Sequence, residues 1–133
     1  MHAEKPAVID VTVGKAKPEE MPSVVQLYKK RGAETSGVGP ANTHVARTES
    51  GRVVGALSVV NCGGVPVIKN IAVDMELEGR GVGRQLFEYV IEELKKQGHH
   101  HIIIAHQNRN QGFYSKFGFK ELNPSEMVLE LRG

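Results

Sequence analysis

The sequence contains one cysteine and no large excess of charge of either sign. Cys62 by itself cannot form an internal disulfide, so we expect a reducing compartment, the cytoplasm. Seventeen basic and fifteen acidic residues give a formal charge of +2, which is too balanced to favour binding to nucleic acid. The sequence also lacks an apolar run long enough for a signal peptide or a membrane span, so we expect neither a leader nor a membrane partner.

Length and composition are typical of one globular domain. A chain of 133 residues is long enough to bury a core without disulfides or metal. Its hydrophobic fraction of 40% and its charged fraction of 24% are ordinary for such a domain. No internal repeat or low-complexity segment interrupts the sequence. We therefore predict a single domain over residues 1–133.

Apolar periodicity predicts alternating strands and helices. A β-branched stretch over 7–13 is typical of a strand that ends at Gly14, and a helix with one apolar face is expected to begin near Pro18. The buried strand over 101–105 follows a crossover helix, so we expect it to run parallel to the strand that ends at Val73. The other predicted elements are strands over 43–48, 52–60 and 65–73 in two hairpins, a long amphipathic helix that starts near Val82 and ends before Gly98, a short helix over 111–117 and a closing hairpin over 119–131.

A glycine-rich turn joins the strand that ends at Val73 to the long helix. Gly79, Gly81 and Gly83 have no Cβ, so a ligand can approach the main chain closely. The first N–H groups of the helix lack intrahelical acceptors, and the helix dipole places partial positive charge there. Such a turn favours phosphate, although it is also typical of a tight connection without a ligand. The spacing excludes the dinucleotide fingerprint, because Arg84 stands where its last glycine belongs, and it excludes the nucleotide P-loop, which needs Gly-Lys-Ser/Thr.

Two motifs resemble those of the GNAT acetyltransferase superfamily. The run Glu78-Gly79-Arg80-Gly81-Val82-Gly83, after a strand that ends in Ile71-Ala72-Val73, is similar to the family's acyl-coenzyme A loop, Gln/Arg-x-x-Gly-x-Gly/Ala. The run Gly112-Phe113-Tyr114-Ser115-Lys116-Phe117-Gly118-Phe119 is similar to its Phe-Tyr-x-x-x-Gly-Phe signature. The motifs follow in the family's order, separated by a helix and a strand. The resemblance covers the chain from Val8 to Leu131.

The resemblance implies an α/β fold with a GNAT-like mixed sheet, mostly antiparallel with a central parallel pair, and helices on both faces. It implies acetyl-coenzyme A as the co-substrate and a primary amine, on a small molecule or a peptide, as the acceptor. Main-chain N–H groups of the turn would hold the pyrophosphate, Arg80 and Arg84 would add charged contacts, and the strand end would pair with the pantetheine arm. The cofactor-binding residues that the resemblance implies are Ile71, Ala72, Val73, Gly79, Arg80, Gly81, Val82, Gly83, Arg84 and Asn108.

Glu78 departs from the family pattern, which has Gln or Arg at this position. A carboxylate about 4 Å from a phosphate would oppose binding by on the order of 4 kcal/mol at an effective dielectric constant of about 20. We therefore expect Glu78 to turn into water, at a helix N-terminus where negative charge is stabilised. The same residue supports an alternative function, a module that binds or senses acyl-coenzyme A without turnover.

The resemblance assigns Tyr114 as the general acid that protonates the departing coenzyme A thiolate. A phenol carries its proton at neutral pH, and acid catalysis contributes about 10²–10⁴ in rate. The alternative is that Tyr114 only packs the short helix. The base that deprotonates the amine is left open between Asp74, His106 and a chain of waters, and for either side chain a surface or capping role is the alternative.

The predicted function is therefore an N-acetyltransferase in which the amine attacks the thioester directly. His99 to His101 invite a metal site, but consecutive residues at a helix-to-strand boundary point in different directions, so we expect no metal. The loop over 32–42 lies where the family places substrate-facing segments, and we interpret it either as a mobile acceptor-site loop or as a short connection. The sequence leaves open the acceptor amine, transfer of a longer acyl chain and the oligomeric state, a homodimer included.

Overall fold

The computed structural model describes residues 7–105 and 111–131. Its strands and α-helices are β1 (Thr12–Lys15), α1 (Met21–Lys30), β2 (Thr43–Arg47), β3 (Val53–Cys62), β4 (Val65–Val73), α2 (Val82–Lys96), β5 (His101–Ala105), α3 (Gln111–Ser115), β6 (Lys120–Asn123) and β7 (Glu126–Glu130). Short 3₁₀ turns lie at Pro18–Glu20, Pro40–Asn42 and Met75–Leu77. Within the described residues, no helix combines the length and the apolar character needed to cross a membrane.

The strands form a mixed sheet in the order β1-β2-β3-β4-β5-β7-β6. The pairs β1 with β2, β2 with β3, β5 with β7 and β6 with β7 are antiparallel. β4 and β5 run parallel, with Val67 opposite Ile103 and Ile68 opposite Ile104. Parallel neighbours need a crossover connection, which α2 supplies. The predicted mixed sheet with a central parallel pair is therefore confirmed.

Contacts between Cα atoms divide the chain into two compact units. The first consists of residues up to 58 together with 70–90, and the second consists of residues 59–69 together with those from 91 onward. The first unit thus holds α1, the turn after β4 and the start of α2, whereas the second holds α3 and β5 to β7. The single domain over residues 1–133 stays a prediction.

The core of the first unit lies on both faces of its strands. One cluster of buried side chains comes from α1, from the strands it covers and from the residue after β1, namely Ala16, Val24, Tyr28, Val45, Ala56 and Ala72. Gly55 precedes Ala56 in β3 and therefore faces the opposite side of the sheet. On that side Val82 and Leu86 of α2 lie close to Gly55. Within this unit, α1 and the start of α2 therefore cover opposite faces, as predicted.

β1 begins later than the sequence predicts. Its ladder with β2 spans Thr12–Lys15, so Gly14 lies inside the strand and does not end it. β2 ends at Arg47, opposite Thr12, and the chain then enters a turn, so the ladder stops there. Residues 7–11, predicted as strand, instead form hydrogen bonds with the segment that follows β4.

The second unit differs from its prediction in small ways. Ile102 and Ile104 of β5 are buried, whereas Ile103 between them is only half-buried, so one face of this strand is better covered than the other. α3 ends at Ser115, two residues before its predicted end. β6 and β7 both lie within the closing hairpin predicted over 119–131. The order and type of the elements are nevertheless those that the sequence predicts.

Candidate active site

The turn after β4 needs two of its three glycines for its backbone conformation. Gly79 and Gly81 have φ angles of +76° and +83°, in the left-handed region that residues with a Cβ rarely adopt. Gly83 lies instead in the first turn of α2, which begins at Val82. Gly79 and Gly81 therefore shape the bend, and Gly83 keeps a side chain away from the helix start.

Some main-chain N–H groups of this segment donate to carbonyl oxygens within it, whereas those at the start of α2 have no intrahelical acceptor. Arg80 N donates to Leu77 O at 3.2 Å, so this amide is engaged within the turn itself. Gln85 N donates to Gly81 O at 3.1 Å, which begins the helical ladder. The amides of residues 82–84 precede that hydrogen bond, at the helix end where no intrahelical acceptor exists. Together with the helix dipole, they give this end of α2 the geometry of an anion site.

The segment before β1 fastens the turn. Ile9 N donates to Arg80 O at 3.0 Å, and Arg80 Nε donates to Ala7 O at 2.9 Å. The Gln85 side chain bridges the same segment, because its Nε2 donates to Ile9 O at 2.8 Å and its Oε1 accepts from Val11 N at 3.4 Å. The partner of the Arg80 guanidinium in this contact is a neutral carbonyl. The positive charge of Arg80 is therefore not neutralised by this contact and remains beside the turn.

Arg84 lies on the exposed side of α2. Its Nε is 3.7 Å from Glu88 Oε1, and the two side chains are 60% and 61% exposed. An ion pair that is this long and this exposed contributes little to stability. The Arg84 side chain is thus able to turn toward an anion at the helix start.

Glu78 pairs with Arg31, which directly follows α1. The Arg31 guanidinium also donates to Val73 O, from Nη2 at 3.2 Å and from Nε at 3.4 Å. The Glu78 side chain is 56% exposed, in line with the expectation that it turns toward water. Its partner was not predicted from the sequence. One guanidinium therefore joins the end of β4 to the start of the glycine turn.

The last peptide group of β4, between Val73 and Asp74, is hydrogen-bonded on both sides. Asp74 N donates to Val54 O at 2.8 Å, on the side of β3. Val73 O and Asp74 N belong to one trans peptide group, whose C=O and N–H point in opposite directions, so Val73 O points away from β3, where Arg31 reaches it. Ala72 is buried in the core cluster, and Ile71 is half-buried.

Asp74 has hydrogen-bond partners on both carboxylate oxygens. Its Oδ1 accepts from Glu76 N at 3.0 Å, and its Oδ2 accepts from Arg52 Nη2 at 2.6 Å. This arrangement supports the capping interpretation of Asp74 over a role as base. The other candidate base, His106, and the predicted cofactor contact Asn108 lie outside the described residues.

Tyr114 is placed by its neighbours in the second unit. It lies on α3, is 4% exposed, and its ring is 5.8 Å from that of Phe113 and 6.3 Å from that of Phe119, centre to centre. Its carbonyl oxygen accepts from Phe117 N at 3.0 Å and from Phe119 N at 3.3 Å. The turn that follows depends on Gly118, whose φ is +98°. The aromatic ring is therefore held firmly by side-chain and main-chain contacts.

A buried chain of hydroxyl groups was not predicted from the sequence. Tyr28 Oη lies 2.8 Å from Ser58 Oγ, which lies 2.8 Å from Thr43 Oγ1, and Thr43 Oγ1 donates to Asn42 Oδ1 at 3.2 Å. Burial raises the pKa of the Tyr28 phenol well above its usual value. In the sequence, these residues belong to ordinary helix and strand patterns. The hydrogen-bonded network therefore becomes visible only in the three-dimensional structure.

Hydrogen bonds fasten the loop over residues 32–42. Asn70 Nδ2 donates to Glu34 O at 2.6 Å, and Asn42 Nδ2 donates to Gly37 O at 2.8 Å. The loop contains a 3₁₀ turn at Pro40–Asn42 and no α-helix, which agrees with the prediction from its glycines.

The three consecutive histidines point to no metal centre in the described part of the chain. His100 and His101 are exposed and His99 is half-buried. Within residues 7–105 and 111–131, no group of three His, Cys, Asp or Glu side chains is arranged to hold a metal ion. Cys62 is an exposed thiol at the end of β3.

Known proteins share both the sequence pattern and the fold. The family model for the acetyltransferase (GNAT) domain matches residues 12–129. Glucosamine 6-phosphate N-acetyltransferase 1 from Oryza sativa subsp. japonica is 26% identical over 111 residues, which are 77% of this chain and 67% of that protein.

Solved structures support the same fold. The ribosomal-protein-S18-alanine N-acetyltransferase from Escherichia coli superposes with a TM-score of 0.77 and 20% identity, covering 93% of this chain and 97% of that chain. N-acetylglutamate synthase from Neisseria gonorrhoeae, solved with coenzyme A and L-arginine, gives a TM-score of 0.78 and 17% identity, covering 97% of this chain and 34% of that chain. Because the family model spans nearly all of the sequence, this chain belongs to the acetyltransferase (GNAT) domain family.

Proposed function

We propose that this chain is an N-acetyltransferase that moves an acetyl group from acetyl-coenzyme A to a primary amine. The observation that supports this most is the turn after β4, where Gly79 and Gly81 lead in left-handed conformation into the start of α2. Arg80 and Arg84 flank that helix start with positive charge. A pyrophosphate is the kind of group that such main-chain donors and guanidinium groups bind. Membership of the GNAT family supports the acetyl group as the cargo.

The cofactor-binding residues of the proposal lie at the end of β4 and in the turn, together with Asn108, which is outside the described residues. Amides at the start of α2 hold the pyrophosphate, and main-chain groups of Ile71 and Val73 pair with the pantetheine arm. The full set is Ile71, Ala72, Val73, Gly79, Arg80, Gly81, Val82, Gly83, Arg84 and Asn108.

The reaction needs no covalent enzyme intermediate. The neutral amine nitrogen attacks the thioester carbonyl carbon, a C–N bond forms, and the C–S bond breaks with its electron pair on sulfur. Tyr114 donates its phenolic proton to that thiolate, and water accepts the proton that the amine loses. Water is proposed over Asp74 because both carboxylate oxygens of Asp74 are engaged, and His106, outside the described residues, is the alternative base.

The acceptor of the proposal is an amine on a small molecule or a peptide. The names of the relatives cover glucosamine 6-phosphate, an alanine of ribosomal protein S18 and glutamate, which share an amino group as the acetylated function. We propose that the reaction takes place in the cytoplasm, with no nucleic acid or membrane as partner. The mass of the protein in solution tests whether it forms a homodimer.

Thermal unfolding with and without acetyl-coenzyme A tests the proposal. A ligand that binds only the folded state raises the apparent stability by mass action, so millimolar acetyl-coenzyme A should raise Tm. Thiol release in the presence of a panel of amines then tests turnover. A binding shift without thiol release would support the alternative, a module that senses acyl-coenzyme A. The absence of any shift would overturn both.

A further inference from the structure

Glu78 places a carboxylate directly before the turn that is proposed to bind pyrophosphate. A carboxylate beside a bound phosphate repels it unless the carboxylate charge is neutralised. The Glu78 carboxylate is paired with the guanidinium of Arg31, which directly follows α1. The pair therefore changes the charge that an incoming phosphate meets.

We propose that Arg31 is a positioning residue of the acyl-coenzyme A site, which neutralises Glu78 so that the turn accepts phosphate. The inference rests on the proposed function, because it concerns the same turn. Arg31 does not act on the reacting atoms. It sets the charge at the entrance of the turn and holds the Glu78 carboxylate toward the end of β4.

The contacts of the guanidinium explain why Arg31 suits this role. Its Nη2 and Nε both point at Val73 O, at 3.2 and 3.4 Å, while Nη2 also pairs with Glu78. A planar group with several fixed donors engages the strand end and the carboxylate at once. The anchor on Val73 keeps the positive charge beside the turn and limits its motion into water.

Arg80 and Arg84, the arginines of the turn and of the helix start, contact groups other than Glu78. Arg80 Nε donates to Ala7 O at 2.9 Å, on the segment before β1. Arg84 lies over Glu88 one helical turn further along α2. These contacts leave Arg31 as the guanidinium that the structure pairs with Glu78.

A double-mutant cycle on Arg31 and Glu78 tests the proposal, with Kd for coenzyme A measured by titration calorimetry. Arg31→Gln leaves the carboxylate uncompensated and should weaken binding about 10-fold. Glu78→Gln should bind as well as the wild type or better. The double variant should recover to within about threefold of the wild type, because the repulsion has gone with the charge.

Two further variants separate charge from structural support. Arg31→Lys keeps the charge without the two-donor contact to Val73, and it should retain affinity to within about threefold of the wild type. Arg52→Gln is the matched control, because it removes an exposed arginine from its 2.6 Å pair with Asp74 in the same unit. It should leave Kd unchanged.

Salt and a ligand without phosphate give independent readouts. The loss of coenzyme A affinity in Arg31→Gln should become smaller as ionic strength rises, since salt screens the repulsion between Glu78 and phosphate. S-acetylpantetheine carries no phosphate, so Arg31→Gln should change its affinity much less than it changes the affinity for coenzyme A.

Wild-type affinity in Arg31→Gln, or a double variant that binds no better than Arg31→Gln, would overturn the inference. Those outcomes leave the proposed function intact, because the wild type still binds. A wild-type protein that binds no coenzyme A would instead overturn both.

Discussion

Gly55 lies against Val82, so closely that a methyl group on Gly55 would come within 2.9 Å of Val82 Cγ1. The same methyl group would lie 2.9 Å from Leu86 Cδ1. Real Cβ atoms do not approach other carbon atoms so closely, so β3 and the start of α2 touch only because residue 55 has no side chain. Through this contact, a strand in the core sets the position of the helix end that bears the candidate anion site.

Gly55→Ala is therefore expected to push the start of α2 away from β3. Overpacking of this kind destabilises by about 1–3 kcal/mol, and binding of acetyl-coenzyme A should weaken along with it. Denaturant unfolding and calorimetric titration measure the two effects. Gly39→Ala is the control, because a Cβ at Gly39 meets nothing within 4 Å and its backbone is extended. Unchanged stability in Gly55→Ala would contradict the close contact.

A second prediction compares two glycines that share a left-handed backbone. Gly79 and Gly98 have φ angles of +76° and +87°, and a Cβ on either would meet nothing within 4 Å. Alanine at each position should cost about 1–2 kcal/mol of stability for the same conformational reason. Only Gly79→Ala should also raise Kd for acetyl-coenzyme A, because Gly98 follows the far end of α2. Equal Kd values in the two variants would count against the turn as the binding site.

Tyr114→Phe tests the assignment of the general acid. The variant keeps the ring that packs beside Phe113 and Phe119, and it removes the proton donor. Thiol release should slow by about 10²–10⁴, while the Tm shift with acetyl-coenzyme A persists. Tyr89→Phe is the control, since Tyr89 is an exposed tyrosine of α2 and should leave the rate unchanged. Loss of binding and turnover together in Tyr114→Phe would show a packing role only.

Glu20 and Arg47 supply a prediction on acid stability. Arg47 Nε and Nη2 each donate to a different oxygen of Glu20, both at 2.6 Å, and these hydrogen bonds hold the pKa of the Glu20 carboxyl below its usual value. A lowered folded-state pKa stabilises the fold above the unfolded-state pKa, about 4.3, and the contribution is lost as pH falls through the folded-state pKa.

Glu20→Gln should therefore lower the free energy of unfolding at neutral pH by about 2 kcal/mol. The difference from the wild type should shrink below about pH 4, where the wild-type carboxyl takes up its proton. Urea unfolding across a pH series measures this. Glu19→Gln on the same 3₁₀ turn is the control, because Glu19 is exposed. A difference that stays constant with pH would argue against the charge as its origin.

Strand and helix order could be predicted from the sequence because it follows from local patterns. The crossover helix α2 and the apolar strand β5 predict their own parallel pairing, and the pairing is observed. The start of β1 could not be predicted in the same way. A β-branched run becomes a strand only where a partner lies opposite, and β2 ends at Arg47.

The sequence by itself determined that the chain can bend after β4, since Gly79 and Gly81 permit the left-handed backbone that residues with a Cβ rarely adopt. The tertiary structure decided which charges and hydroxyl groups meet. Arg31 and Glu78 are 47 residues apart, and Tyr28 and Ser58 are 30 apart. No local periodicity encodes such a pair, because its energy depends on where distant elements bring the side chains together.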